Sequence, residues 1–346
     1  MNLDKRLPEA LLPWYDKNKR DLPWRHTRDP YQIWLSEIML QQTRVEAVKG
    51  YYARFLSELP TISALAECDD EKLHKLWEGL GYYSRVRNLK KAAKIIEETY
   101  NGAFPREYAQ ILELPGIGEY TAGAICSIAF DQKVPAVDGN VLRVMARLTD
   151  DPTPIDTPSF KKQARQALFG IYPDRAGDFT QALIELGATV CGPDRAPRCG
   201  ECPCREFCLG RARGTAEGLP VRSPKKDKKN EEMTLFIMAQ KGTFGVQKRP
   251  KRGLLASLWS FPNLHGKLDT AQALSKLEEM GLRPKALHRC LERSHIFTHV
   301  RWEMRGYYLE VEGDAEGVVW MTPEQIETEA ALPTAFRQFW EERDCV

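Results

Sequence analysis

The chain has 346 residues, of which 42% are hydrophobic and 28% charged, and its formal net charge is +2. That length allows two domains with cores of their own. No apolar run nears the roughly 20 residues needed to span a bilayer, so a membrane protein is excluded from the expectation. The opening "MNLDKRLPEALLPWYDKNKR" has no apolar stretch after its charges, which fits a chain that stays in the cytoplasm.

Residues 1–212 read as helix after helix. "PYQIWLSEIMLQQTRVEAVKGYYARFLSEL" is treated as continuous; "DEKLHKLWEGL", "SRVRNLKKAAKIIEETY" and "SFKKQARQALFGIY" share its three-to-four apolar spacing. Within the first, Glu37 follows Ile33 by four residues and Trp34 by three, so the three share one helix face. A carboxylate on an apolar stripe is desolvated and can hold a proton at neutral pH; at the edge of the stripe it would reach water instead.

"LELPGIGEYTAGAI" has the form of two helices joined by a tight turn. Gly116 and Gly118 are expected to take backbone angles that a side chain forbids, and to leave the next helix's amides open to an anion. That is the pattern of a helix-hairpin-helix gripping a DNA backbone; a turn with no ligand is the alternative. In "VPAVDGNVLRV", Asp138 precedes Gly139-Asn140 at a helix start, where it reads as an N-cap or turn residue, or, in the company of Glu37 and the hairpin, as a functional carboxylate.

Five cysteines fall within residues 191–208, and four give Cys191-x7-Cys199-x2-Cys202-x5-Cys208, with Cys204 left over. In a reducing compartment such clustering suggests metal, and the spacing suits zinc or a four-iron cluster. Residues 191–230 hold ten Lys/Arg against five Asp/Glu, and 241–252 hold five and none. Such patches suit phosphate contact, as they suit a solvated loop. Residues 213–232 read as a linker. Beyond it "MTLFIMAQ", "LASLWSF", "HVRWEMRGYYLEV" and "GVVWMT" read as strands, and "TAQALSKLEEMG" as a helix capped by Thr270 with Gly281 past its end. The segment 233–346 is therefore α+β.

Taken in order, "WLSEIMLQQTRVE", "GLGYYSRVRNL", "LPGIGEYTAGAI", "AVDGNVLRV", "ALIELGATVC" and the cysteines resemble the adenine DNA glycosylase family, the MutY branch of the endonuclease III superfamily. The resemblance implies a mainly α helix-hairpin-helix glycosylase domain over 1–212, with one 4Fe-4S cluster held by Cys191, Cys199, Cys202 and Cys208. The first cysteine gap is seven residues where the family usually has six. The resemblance further implies that Glu37 is the general acid at adenine N7 and Asp138 stabilises the oxocarbenium ion, with Tyr120 and Asn140 in the catalytic set. Tyr120 stands where the superfamily's lyases carry a lysine, so a monofunctional hydrolase is implied.

For DNA, it makes Gln42 a wedge, Tyr82 an intercalating aromatic, and Gln181 a contact to the flipped adenine, with Arg20, Leu22 and Trp24 in the pocket wall. Without the resemblance, Leu22 and Trp24 read as core and Tyr82 as packing under a loop. Residues 233–346 resemble the family's Nudix-like C-terminal domain through "RPKRGLLASLWSFP" and through Phe297, Thr298 and His299, which fill the loop that senses 8-oxoguanine. Leu274-Ser275 stands where a working Nudix box has Arg-Glu, so recognition is expected there in place of pyrophosphate hydrolysis. The implied partner is double-stranded DNA containing A:8-oxoguanine or A:G, met by a monomer in a bacterial-type, nucleoid-associated setting. A thymine or uracil mismatch glycosylase and a non-catalytic binder of damaged DNA are the alternatives.

Overall fold

The computed structural model describes residues 1–193, 196–224 and 227–346. The chain forms two compact units, Met1–Glu67 with Arg87–Lys225 and Cys68–Val86 with Lys226–Val346. Arg195, one of the ten Lys/Arg of residues 191–230, lies outside the described residues.

The helices of residues 1–212 are Leu7–Asn18 (α1), Pro30–Leu40 (α2), Val45–Glu58 (α3), Ile62–Glu67 (α4), Asp70–Leu76 (α5), Ser84–Tyr100 (α6), Tyr108–Glu113 (α7), Glu119–Phe130 (α8), Gly139–Thr149 (α9), Pro158–Phe169 (α10), Ala176–Thr189 (α11) and Leu209–Ala212 (α12). One core of the first unit forms where α1, α9, α10 and α11 meet, around Leu11, Tyr15, Met145, Phe160 and Phe179, and it takes in Cys204. α2 begins at Pro30, with the Asp29 side chain accepting from the Tyr31 amide. Its residues 33–39 are all buried, as a helix apolar on every side must be.

The helix expected to run unbroken from residue 30 ends instead at Leu40. Gln42 takes φ 56°, in the left-handed region, and α3 starts at Val45. No Gly or Pro marks this break in the sequence.

In the second unit the strands are Lys229–Gln240 (β1), Thr243–Lys248 (β2), Trp259–Ser260 (β3), Asn263–His265 (β4), Leu282–Ile296 (β5), Val300–Gly313 (β6) and Val318–Met321 (β7). They form a mixed sheet ordered β3-β2-β1-β6-β5, with β4 added to β1 and β7 to β2. β1 and β6 run parallel, and their alternating residues feed both faces. Phe236, Met238, Tyr307 and Leu309 pack under Thr270–Glu279 (α13), while Leu235, Ile237, Trp302 and Met304 pack under Thr334–Trp340 (α14).

The structure departs from the expected elements in three places. α13 is capped by Asp269 in a capping box with Gln272, and Thr270 is its first residue. Most of "LASLWSF" is loop, with Leu255 and Ser257 at positive φ and only Trp259–Ser260 in strand. The longest strand, β5, carries charged, exposed residues along an edge and gave no apolar alternation to read.

Candidate active site

A cavity of about 480 Å³ opens in the first unit. Arg20, Leu22, Trp24, Glu37, Gln42, Tyr120, Asp138, Asn140 and Gln181 all line it, so residues scattered over 160 positions converge on one space. Leu22 and Trp24 are also buried, which makes them core and wall together.

Glu37 reaches the cavity from the buried middle of α2. Among the described residues its direct polar partner is Tyr120, whose hydroxyl donates to Oε2 at 2.7 Å. Burial pushes the Glu37 carboxyl up to about 7; Asp138 adds to the rise, while the Tyr120 hydrogen bond and the Arg25 charge oppose it. Tyr120 itself is held well above its ordinary value, chiefly by burial and then by the Glu37 and Asp138 charges, so it stays a donor.

Asp138 is both the N-cap of α9 and part of the cavity wall. Oδ1 accepts from the Val141 amide at 2.8 Å and Oδ2 from the Asn140 side-chain amide at 2.7 Å. Burial holds its pKa above the ordinary carboxylate value, and those two donors and Arg143 offset only part of the rise. Asn140 in turn accepts from Arg143 Nη2 at 2.9 Å, and the same nitrogen donates to the Gly187 carbonyl at 2.8 Å. α9 and α11 can approach this closely because residue 187 has no side chain: a Cβ there would sit 2.7 Å from the Asn140 Cβ.

The α7–α8 hairpin follows the expected form at Gly116, whose φ is 80°. Gly118 differs. Its φ of −101° and ψ of 178° are ordinary extended backbone, and a Cβ would meet nothing within 4 Å. Its glycine therefore leaves open space before the start of α8, with no backbone strain to relieve.

Sequence reasoning passed over two residues of this region. Arg25 lines the cavity, and Glu185 is fully buried beside Arg20 and Arg25. Glu185 carried the same signal as Glu37, a lone carboxylate in an apolar helix, "FTQALIELGA".

Cys191, Cys199, Cys202 and Cys208 line a second, much smaller recess together with Arg147, Arg198, Arg205 and Arg211. Cys204 is fully buried in the α1–α9–α11 core and does not line the recess. Arg147 Nη1 donates to Cys191 Sγ at 3.2 Å and to the Gly192 carbonyl at 3.0 Å. Among the described residues no three His, Cys, Asp or Glu converge on one ion position. Four thiols facing a shared space, with cations around them, fit a bulky anionic cluster better than a single ion.

In the second unit, Tyr82 takes φ 47° and is 47% exposed. Its hydroxyl meets Thr298 Oγ1 at 3.1 Å. Arg85 Nη2 donates to the Leu80 and Gly81 carbonyls, and its guanidinium stacks over the Trp77 and Tyr82 rings. Phe297 packs against His295 and Trp302, and the His299 carbonyl accepts from the Lys229 amide.

Residues 35–167 match the model of the HhH-GPD superfamily of base excision DNA repair proteins, and 233–342 match the NUDIX domain. The chain is 35% identical to an adenine DNA glycosylase of Homo sapiens, over 95% of this chain and 72% of that protein. It is 32% identical to one of Buchnera aphidicola, over 84% and 83%. Among solved structures, a thermostable thymine-DNA glycosylase aligns at 30% identity and TM-score 0.54, over 60% of this chain and 97% of that one. A non-covalent endonuclease III–DNA complex aligns at 24% and 0.52, over 61% and 98%, which shows a shared fold.

Proposed function

The chain belongs to the adenine DNA glycosylase family, and from that premise we propose that it excises adenine paired with 8-oxoguanine or guanine in double-stranded DNA by hydrolysis alone. The observation that carries this reading is that Glu37 and Asp138, unequally hydrogen-bonded, line a single cavity large enough for a purine.

Adenine leaves deoxyribose once a ring nitrogen is protonated, and the sugar then gains oxocarbenium character. Glu37, with a pKa near 7, is protonated in a large fraction of molecules at neutral pH and supplies that proton at N7. Burial lifts the Asp138 pKa above its ordinary value, two N–H donors and Arg143 limit that rise, and the Asp138 anion stabilises the sugar cation. Asn140 holds the Asp138 carboxylate, and Tyr120 holds the Glu37 carboxyl. A lyase step needs an amine, and no lysine is among the described residues lining the cavity.

Base flipping precedes this chemistry. Gln181 contacts the flipped adenine between walls supplied by Arg20, Leu22 and Trp24, Gln42 wedges into the vacated stack, and the amides after Gly116 and Gly118 hold the backbone. Tyr82, Phe297, Thr298 and His299 read the partner base, Thr298 through its hydroxyl. The protein works as a monomer on cytoplasmic, nucleoid DNA. Among the described residues no helix is long and apolar enough to cross a membrane.

Cys191, Cys199, Cys202 and Cys208 would hold a 4Fe-4S cluster, which when bound supplies four thiolate bonds tying the 191–208 loop together. Arg147, anchored on the Leu219 carbonyl at 2.9 Å, places a cation and a hydrogen-bond donor beside Cys191.

Single-turnover assays on A:8-oxoguanine, A:G, T:G and U:G duplexes test the substrate. Adenine release from the first two is expected. The likeness to a thymine-DNA glycosylase gives the rival outcome a basis, and preferential release of thymine or uracil would overturn the proposal.

A further inference from the structure

Glu185 lies on the cavity side of α11 yet does not line the cavity. Gln181, Ile184, Glu185 and Ala188 follow helical spacing on one face, and the other three are lining residues. The Glu185 carboxylate, fully buried, turns to the 20–25 segment and accepts four hydrogen bonds. Oε1 takes the Arg20 amide at 3.0 Å and Arg20 Nε at 2.8 Å; Oε2 takes Arg20 Nη2 at 2.9 Å and Arg25 Nη2 at 2.6 Å. Arg25 Nη1 closes the ring on the Arg20 carbonyl at 2.9 Å.

The 20–25 segment has little regular structure to hold it, only the 3-10 turn Pro23–Arg25 with no side-chain cap. It nevertheless supplies Arg20, Leu22, Trp24 and Arg25 to the wall. The Glu185 charge, fully buried, persists because it is paired, and both arginines are paired through this one carboxylate.

We propose that Glu185 is a positioning residue for adenine excision: it fixes Arg20 and Arg25 in the cavity wall and offsets the charge that Arg25 presents to Glu37. This rests on the reading of Glu37 as the proton donor. Burial alone would raise the Glu185 pKa, but Arg20 and Arg25 outweigh it and hold the group at about 2, so its charge is constant over the working range. The titratable and charged groups facing Glu37 are Tyr120 of α8, Asp138 ahead of α9, and Arg25 of the turn. Of these only Arg25 is a cation. Removing the Glu185 charge leaves Arg25 unbalanced and weakens Glu37's hold on its proton; removing Arg25 strengthens it.

The test is the pH profile of single-turnover adenine excision by the full chain on an A:8-oxoguanine duplex, for wild type, E185Q, E185D, R25Q and E37Q. E185Q should lose roughly tenfold or more in rate and shift the alkaline midpoint down, on the order of half a pH unit. R25Q should shift it up. E185D, which keeps the charge on a shorter arm, should keep the wild-type midpoint at a reduced rate. If E185Q does not fold, R25Q and E185D carry the test. Midpoints that stay at the wild-type value in E185Q and R25Q, or that move in the same direction, overturn the inference. A wild type that releases no adenine, or an E37Q that matches it across the profile, overturns the underlying reading instead.

Discussion

Glu37 pits stability against chemistry at one atom group. Its pKa in the folded chain, about 7, lies above the ordinary carboxylate value of 4.5, so the proton it holds favours the fold. That contribution is full below about pH 4.5 and is lost as pH rises through 7, at a total cost of roughly 3 kcal/mol. Glu37→Gln, which cannot ionise, should therefore melt at a higher temperature than wild type at pH 8.5 and nearly match it at low pH. The same variant should lose at least about 100-fold in excision rate. A melt that ranks it below wild type at pH 8.5 would contradict the buried, strained carboxylate. Tyr120→Phe removes the donor that lowers the Glu37 pKa, so the alkaline limb of the rate profile should move to higher pH. Glu37 could be read from the sequence as a carboxylate in an apolar helix, and Tyr120 only through the family resemblance. Their hydrogen bond, across 83 positions, could not.

Helix contacts decide how well the cavity keeps its shape. Gly187→Ala would set a methyl 2.7 Å from the Asn140 Cβ and press α11 away from α9, a cost of about 1–3 kcal/mol. Because Asn140 and Arg143 brace Asp138, the excision rate should fall by more than the lowered melting temperature explains, which a rate measured well below the melt would reveal. The sequence marked the individual helices well, since their apolar spacing is a property of each segment alone. It did not mark the break after Leu40, where Gln42 turns into the left-handed region without glycine or proline. Nor did it mark β5, whose exposed edge needs no apolar alternation. Both follow from tertiary demands that override local preference.

Across the molecule, the cysteines give a compositional test. Iron content should be kept in Cys204→Ala, whose thiol lies in the core, and lost in Cys199→Ala, whose thiol lines the recess. A colourless wild-type preparation holding zinc would refute the cluster. Thr298→Val should spare adenine release while weakening preference for 8-oxoguanine over guanine, since the Tyr82–Thr298 bond and the hydroxyl both go.

The second unit is discontinuous, and residues 68–86 pack with a partner segment that begins more than 130 positions later. Glu71 bonds Trp259, and Glu78 bonds Arg337 and the Leu332 amide, all within that unit. During synthesis, the cavity residues between 20 and 188 leave the ribosome with their neighbours in hand, whereas the Tyr82 turn must wait for the final third of the chain. A nascent or prematurely terminated product ending near residue 224 would thus hold every residue of the cavity lining before the Tyr82 turn has met its packing partners.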